Sequence, residues 1–149
     1  MSASLHLCVA DDLDVILPLV AAFYEHEGIQ RSQAELRTAV MPLLQGTPHG
    51  VAYLIGPRKA PVGYIVISFG YSVEFGGIDG FIDEFFIRAN VRGRGMGTEV
   101  LSSILPALSE HGVKALHLEV SQKNRAEKIY SRAGFKMRDG YHLMTRVFS

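Results

Sequence analysis

The run Arg92-Gly93-Arg94-Gly95-Met96-Gly97 follows a strand-forming stretch and precedes a helix-forming one. Glycines there let the backbone take positive φ and approach a ligand closely, and the free N–H groups and dipole of a helix start favour phosphate or pyrophosphate. Arg92 and Arg94 add charge-assisted donors, and Thr98 continues the turn into the helix. A flexible basic turn has the same composition, so the run gains meaning only from its surroundings. It is not a P-loop, because no Gly-Lys-Ser/Thr ending supplies the phosphate lysine and the magnesium hydroxyl. A dinucleotide fold is disfavoured as well, since the preceding stretches form a β-meander rather than a first βαβ unit.

Asp83 and Glu84 lie on the strand that leads to this run. A carboxylate at this place can act as a general base, directly or through water. Strand alternation puts adjacent residues on opposite faces, so only one of the pair is expected to face the reacting group. The plainer use of either is an edge charge or an ion pair. Glu74, Asp79, Asp83 and Glu84 crowd together with Tyr71, Phe75 and Phe81 among them, a set suited to a cationic amine through ammonium–carboxylate and cation–π attraction. Tyr71 and Glu74 are therefore candidate acceptor contacts. Farther on, Asn124 and Glu127 have capping spacing ahead of Ala126, Ile129, Tyr130 and Ala133, with Gly134 where a helix ends. That stripe alone makes Tyr130 an ordinary core residue. Lys123, Arg125 and Lys128 are phosphate-facing candidates on a surface where cations are usually solvated. His26, His49, His111, His117 and His142 are too scattered to pair as metal ligands, so no metal is expected.

The elements that must position these residues follow from periodicity. Leu5 to Val9 predicts a strand, and Leu13 to Tyr24 an amphipathic helix capped by Asp11 or Asp12. Ser32-Gln33-Ala34-Glu35 is a capping box opening a second helix. Val51 to Ile55 and Val62 to Phe69 predict a hairpin, and Phe81 to Ile87 another strand. Gly97 to His111 predicts a helix that Pro106 kinks or shortens. Leu116 to Val120 predicts a strand, and after the Tyr130 helix the runs Phe135 to Arg138 and Leu143 to Phe148 predict a closing hairpin through Asp139-Gly140. The order describes an α/β (α+β) domain, a mixed sheet with helices over it.

With that order in place, Arg92-x-x-Gly95-x-Gly97 resembles the pyrophosphate loop of the GCN5-related N-acetyltransferase (GNAT) family. The later Leu118-Glu119-Val120 strand, with Asn124, Ala126, Tyr130 and Gly134-Phe135, resembles that family's second motif. The resemblance implies a mostly antiparallel central sheet with splayed parallel strands, and acetyl-CoA as cosubstrate held by Arg92, Gly93, Arg94, Gly95, Met96, Gly97 and Thr98. It implies that the backbone of Phe85, Phe86 and Ile87 holds the pantetheine arm, with one N–H facing the thioester oxygen, and that Asn124 touches the arm. It implies that Tyr130 protonates the leaving thiolate. Asp83-Glu84-Phe85-Phe86-Ile87 before the loop is also similar to the diamine acetyltransferases, which leans the acceptor toward a small polyamine-like or amino-sugar-like amine. A protein N-terminus or lysine stays open, as does a non-catalytic acyl-CoA sensor.

The totals narrow the setting. The 149 residues, 48% hydrophobic, suit one domain over 1–149. Fifteen basic and fifteen acidic residues leave no field to gather nucleic acid or a membrane surface. Neither a signal segment nor a span of about 20 apolar residues is present, and one cysteine, Cys8, suits a reducing cytoplasm. The expected partner is a small-molecule amine, with a homodimer left open.

Overall fold

A computed structural model of the chain describes residues 4–121 and 127–149, which gather into two compact units, one up to Glu119 and one from Val120. In the first unit, strand β1 (Leu5–Leu7) passes through a 3-10 turn at Ala10–Asp12 into helix α1 (Leu13–Glu27) and helix α2 (Gln33–Leu44). Strands β2 (Gly50–Ile55), β3 (Gly63–Ser72) and β4 (Gly77–Ile87) form a meander, followed by helix α3 (Met96–Glu110) and strand β5 (Ala115–His117).

Local chemistry explains most boundaries. The capping box closes as the sequence predicts: Glu35 N–H donates to Ser32 Oγ at 3.1 Å, and Ser32 N–H to Glu35 Oε1 at 2.8 Å. Gly28, at φ 72°, supplies the left-handed residue that ends α1. Asp12 does not cap α1 as expected. Its carboxylate instead accepts from Val9 N–H at 3.0 Å and pairs with Arg58 at 2.7 Å, because the chain enters α1 through the 3-10 turn. Burial, and to a lesser degree Asp12, push the neighbouring Cys8 thiol up to about 12, so it is an inert apolar filler. Pro106 neither ends α3 nor shortens it, and the helix runs on to Glu110.

The five strands lie in the order β1-β2-β3-β4-β5, antiparallel except for β4 and β5. Ile16, Leu19 and Val20 of α1 and Leu36 of α2 bury Ala52, Leu54, Tyr64 and Phe86 on one sheet face. Ile65 and Ile67, one residue out of phase, are fully buried on the other face, which falls to α3 with its buried Val100, Leu101 and Ile104. Because β4 and β5 are parallel, a crossover must join them, and α3 is that crossover.

Two features of β4 position the site. Its pairing with β5 covers only Asp79, Gly80 and Phe81, so among the described residues Ile82–Ile87 have no strand partner on that edge. Its pairing with β3 slips once: Ile67 lies opposite Ile82 and Val66 opposite Glu84, which leaves Asp83 as the extra residue of a β-bulge.

The second unit holds helix α4 (Glu127–Arg132), and residues 135–149 form no strand. The closing hairpin expected from Phe135 to Phe148 is therefore not formed. Its apolar side chains, including Leu143, Met144, Val147 and Phe148, are exposed, so strand propensity there meets no ladder and no buried face. Among the described residues no helix is long and apolar enough to cross a membrane.

The closeness of β3 to the end of β4 is testable. A methyl added at Gly63 would run into the Phe86 carbonyl and sit 3.0 Å from Ile87 Cα. Gly63→Ala is expected to destabilise by about 1–3 kcal/mol in urea unfolding. Gly70→Ala, whose methyl meets only the Asp79 carboxylate, is expected to stay within about 0.5 kcal/mol.

Candidate active site

The backbone of β4 sets the first part of the site. Gly63 crowds the Phe86 carbonyl, and Arg88 N–H donates to Val62 at 2.8 Å, so the polar groups of residues 86 and 88 point toward β3. Alternation turns those of Phe85 and Ile87 toward the open edge. This corrects one expectation: the Phe86 backbone is committed to β3 and cannot hold a ligand in the gap. The Phe86 ring is buried beneath α1. Phe85 and Ile87 remain as edge groups, and the Ile87 carbonyl already accepts from Arg92 Nε at 2.6 Å.

That bond changes the part played by Arg92. Its guanidinium also lies over the Phe86 ring, 5.4 Å from the centroid, so the side chain ties the loop to the end of β4 and leaves only its outer nitrogens for an anion. Gly93 (φ 80°) and Gly95 (φ 76°) are both left-handed, and nothing lies within 4 Å of a Cβ built on either. Gly95 is the N-cap of α3, so the first-turn N–H groups of Met96, Gly97 and Thr98 have no intrahelical acceptor. The Met96 side chain is buried, so only its backbone is offered, while Arg94 is exposed beside the loop. Open space, free amides, a helix dipole and an unpaired strand edge fit a pyrophosphate and its pantetheine arm.

The bulge sets the second part. Phe81 lies opposite Ser68, in phase with Val66 and Tyr64, and two residues on the pleat brings Asp83 to that same face. The register puts Glu84 there as well, opposite Val66. The expectation that only one of the pair faces the ligand assumed unbroken alternation, and the bulge removes it. Asp83 sits exposed at the rim, though protein around its carboxyl still raises its pKa.

Glu84 lies deeper and is held by two residues that the sequence did not single out. Tyr24, on α1, donates its hydroxyl to Glu84 Oε2 at 2.6 Å, and Tyr64, on β3, donates to Oε1 at 2.8 Å. Burial raises the Glu84 carboxyl above its ordinary value; the two phenol bonds oppose the rise and the Asp83 charge adds to it. Burial and the Glu84 charge push both phenols up, so they stay protonated and can only donate to the carboxylate at neutral pH. The rings of Phe23, Tyr24, Tyr64 and Phe86 meet one another edge-on or tilted around this network. Tyr24 had appeared only in an apolar helix stripe, and nothing in a stripe distinguishes a packed phenol from one aimed at a carboxylate 60 residues away.

Tyr71, Glu74 and Asp79 are not brought to this place. Tyr71 pairs with Ile78, and Glu74 is in the turn beyond; five residues of β3 separate Tyr71 from Val66, on the order of 17 Å. Asp79 forms an ion pair with His117 at 3.3 Å. Asn124, Lys123 and Arg125 lie outside the described residues. Lys128 is exposed on α4, and burial raises the Tyr130 phenol. Gly134 (φ 98°) ends α4 in a Schellman motif: Phe135 N–H donates to Tyr130 C=O at 3.0 Å, Gly134 N–H to Ser131 C=O at 3.1 Å, and the rings of Tyr130 and Phe135 meet edge-on at 5.9 Å. The described residues bring no three His, Cys, Asp or Glu side chains together as a metal site would need.

A model of the acetyltransferase (GNAT) family matches residues 17–135. Among solved structures, an integron cassette protein from the mobile metagenome of Cole Harbour Salt Marsh is 32% identical, with a TM-score of 0.84 over 97% of this chain and 90% of that one. A possible acetyltransferase of Clostridium difficile 630 is 18% identical with a TM-score of 0.83, each chain covered in full. A predicted acetyltransferase of Clostridium acetobutylicum, solved with acetyl-CoA, is 17% identical with a TM-score of 0.76 over 96% of both chains. No curated protein matches the chain.

Gly95 tests the loop. Gly95→Val is expected to lower acetyl-CoA affinity by at least tenfold in calorimetry, because a side chain at φ 76° strains the turn and stands where backbone must approach an anion. An unaltered affinity with an unaltered melting temperature would remove the loop from the binding site.

Proposed function

Because the chain belongs to the acetyltransferase (GNAT) family and is therefore an acyl-CoA-dependent acyltransferase, we propose that it transfers the acetyl group of acetyl-CoA to a primary amine of a small cationic acceptor. The observation that carries this reading is Glu84, a desolvated carboxylate fixed by two phenols beside the unpaired edge of β4.

Acetyl-CoA, when bound, supplies an activated acyl carbon. The protein's own part begins with orientation. Backbone amides of the α3 start bind anionic oxygens, and edge groups of Phe85 and Ile87 pair with the arm as an added strand would. An N–H of that edge is the donor for charge developing on the acyl oxygen. Glu84 takes the proton from the incoming amine, and Asp83 on the same face draws an ammonium toward the rim. This pair followed by two phenylalanines supports a polyamine-like acceptor; Tyr71 and Glu74, remote along the strand, contribute nothing to that argument. Tyr130 is proposed as the acid that protonates the departing thiolate, supported by its motif position and by a phenol held protonated through burial. The proposed setting is the reducing cytoplasm, which the buried Cys8 thiol suits.

The test is thiol release from acetyl-CoA across polyamines, aminoglycosides, amino acids and peptides. Acetyl-CoA binding with no release for any amine would replace the enzyme by a sensor. Glu84→Gln is expected to reduce kcat by about 10²-fold or more. A base must be charged to act, so activity is present above the raised Glu84 pKa and lost as pH falls through it; the acidic limb should lie above the ordinary glutamate range. Tyr130→Phe is expected to lower kcat more than acetyl-CoA affinity, since a leaving-group acid acts in the transition state; equal losses would count against that role.

A further inference from the structure

Each oxygen of the partly buried Glu84 carboxylate accepts a phenol proton. An open cleft of about 500 Å³ lies where α1 ends and α2 begins, walled by Tyr24 and Glu25 of α1, by Ile29 and Arg31 of the connection, and by Glu35 and Leu36 of α2. Tyr24 alone belongs both to that wall and to the Glu84 network. Tyr64 is fully buried and meets Glu84 from the sheet side.

We propose that the acceptor amine enters through the α1–α2 cleft and passes its proton to Glu84 through the hydroxyl of Tyr24, which acts as a proton relay, while Tyr64 is a positioning residue. This rests on the acetyl transfer proposed above. In the step, an N–H bond of the ammonium breaks and its proton bonds to Tyr24 Oη as the original Tyr24 O–H proton passes to Glu84 Oε2. The amine is left neutral, Tyr24 is again a phenol and Glu84 is a neutral acid. The 2.6 Å separation is that of a short, charge-assisted O–H···O⁻ bond, along which such a transfer needs little movement. The rings of Phe23, Tyr64 and Phe86 pack around the network and hold the Tyr24 ring in place. The groups facing the relay are Asp83 and Glu84 from β4, Tyr64 from β3 and Arg31 from the α1–α2 connection.

The test compares Tyr24→Phe with Tyr64→Phe, each of which keeps the ring and removes one hydroxyl. Both lose a bond that holds the Glu84 pKa down, so a ¹³C titration of the carboxyl, without cosubstrate, should show it rise in both, and the acidic limb of the rate profile should follow. Tyr24→Phe should lose plateau kcat by about 10²-fold, with acetyl-CoA affinity unchanged, and the loss in Tyr64→Phe should be about tenfold smaller. Equal plateau losses in the two variants, or none in Tyr24→Phe while the wild type is active, would overturn the relay and leave acetyl transfer standing. A wild type that acetylates no amine would overturn the transfer itself, and the relay with it.

Discussion

Strand β4 has two polar edges and, among the described residues, only one full-length neighbour. Every N–H and C=O of a buried strand has to be paired, and β3 satisfies one side from Gly77 to Ile87. On the other side β5 contributes three residues and the strands part. The unpaired edge beyond Phe81 is a demand for an extended partner, and an amide-bearing arm meets it as a further strand would. The glycine loop, the α3 start and the Arg92 tether all stand at the end of this edge. In the proposed reaction they would hold an anionic head group while its tail lies along the gap.

The same strand carries the chemistry by breaking its own pleat. Without the bulge at Asp83, adjacent carboxylates would face opposite sides of the sheet, one under α1 and one toward α3. One extra residue brings both to the α1 face, where Glu84 sinks beneath the helix and Asp83 stays at the rim. Sinking a carboxylate is costly unless its oxygens are hydrogen-bonded, and Tyr24 and Tyr64 do that from a helix and a strand. The outcome is a carboxylate whose affinity for a proton is raised by burial and restrained by two phenols.

How much of this was legible depended on the range of the interactions. The Ser32–Glu35 capping box and the loop at Arg92–Gly97 are local, and both stand where the sequence put them. The bulge is not local. It arises from the match between β3 and β4, and Val66, Ile67, Ile82 and Glu84 look like ordinary alternating residues until they are laid side by side. For that reason the sequence places Asp83 and Glu84 on opposite faces, whereas the Phe86 backbone turns to β3 by ordinary alternation, bulge or not. Tyr24 escaped notice because a helix stripe predicts only which side is buried, not what a hydroxyl meets there. The run from Phe135 to Phe148 failed differently: it has strand propensity, but a strand is made by its neighbours.

Tyr130 marks the limit of what a motif alone can argue. Its spacing to Gly134 and Phe135 is required by the Schellman cap that ends α4: the glycine provides the left-handed turn, and the Tyr130 and Phe135 rings close the hydrophobic contact between C3 and C″. Helix termination thus accounts for the pattern without reference to catalysis. What the cap does not require is a hydroxyl, since a phenylalanine would make the same ring contact. The argument for a proton donor therefore rests on the oxygen of Tyr130 and not on its ring. The division runs the same way at Tyr24, whose ring belongs to the core packing and whose oxygen belongs to Glu84.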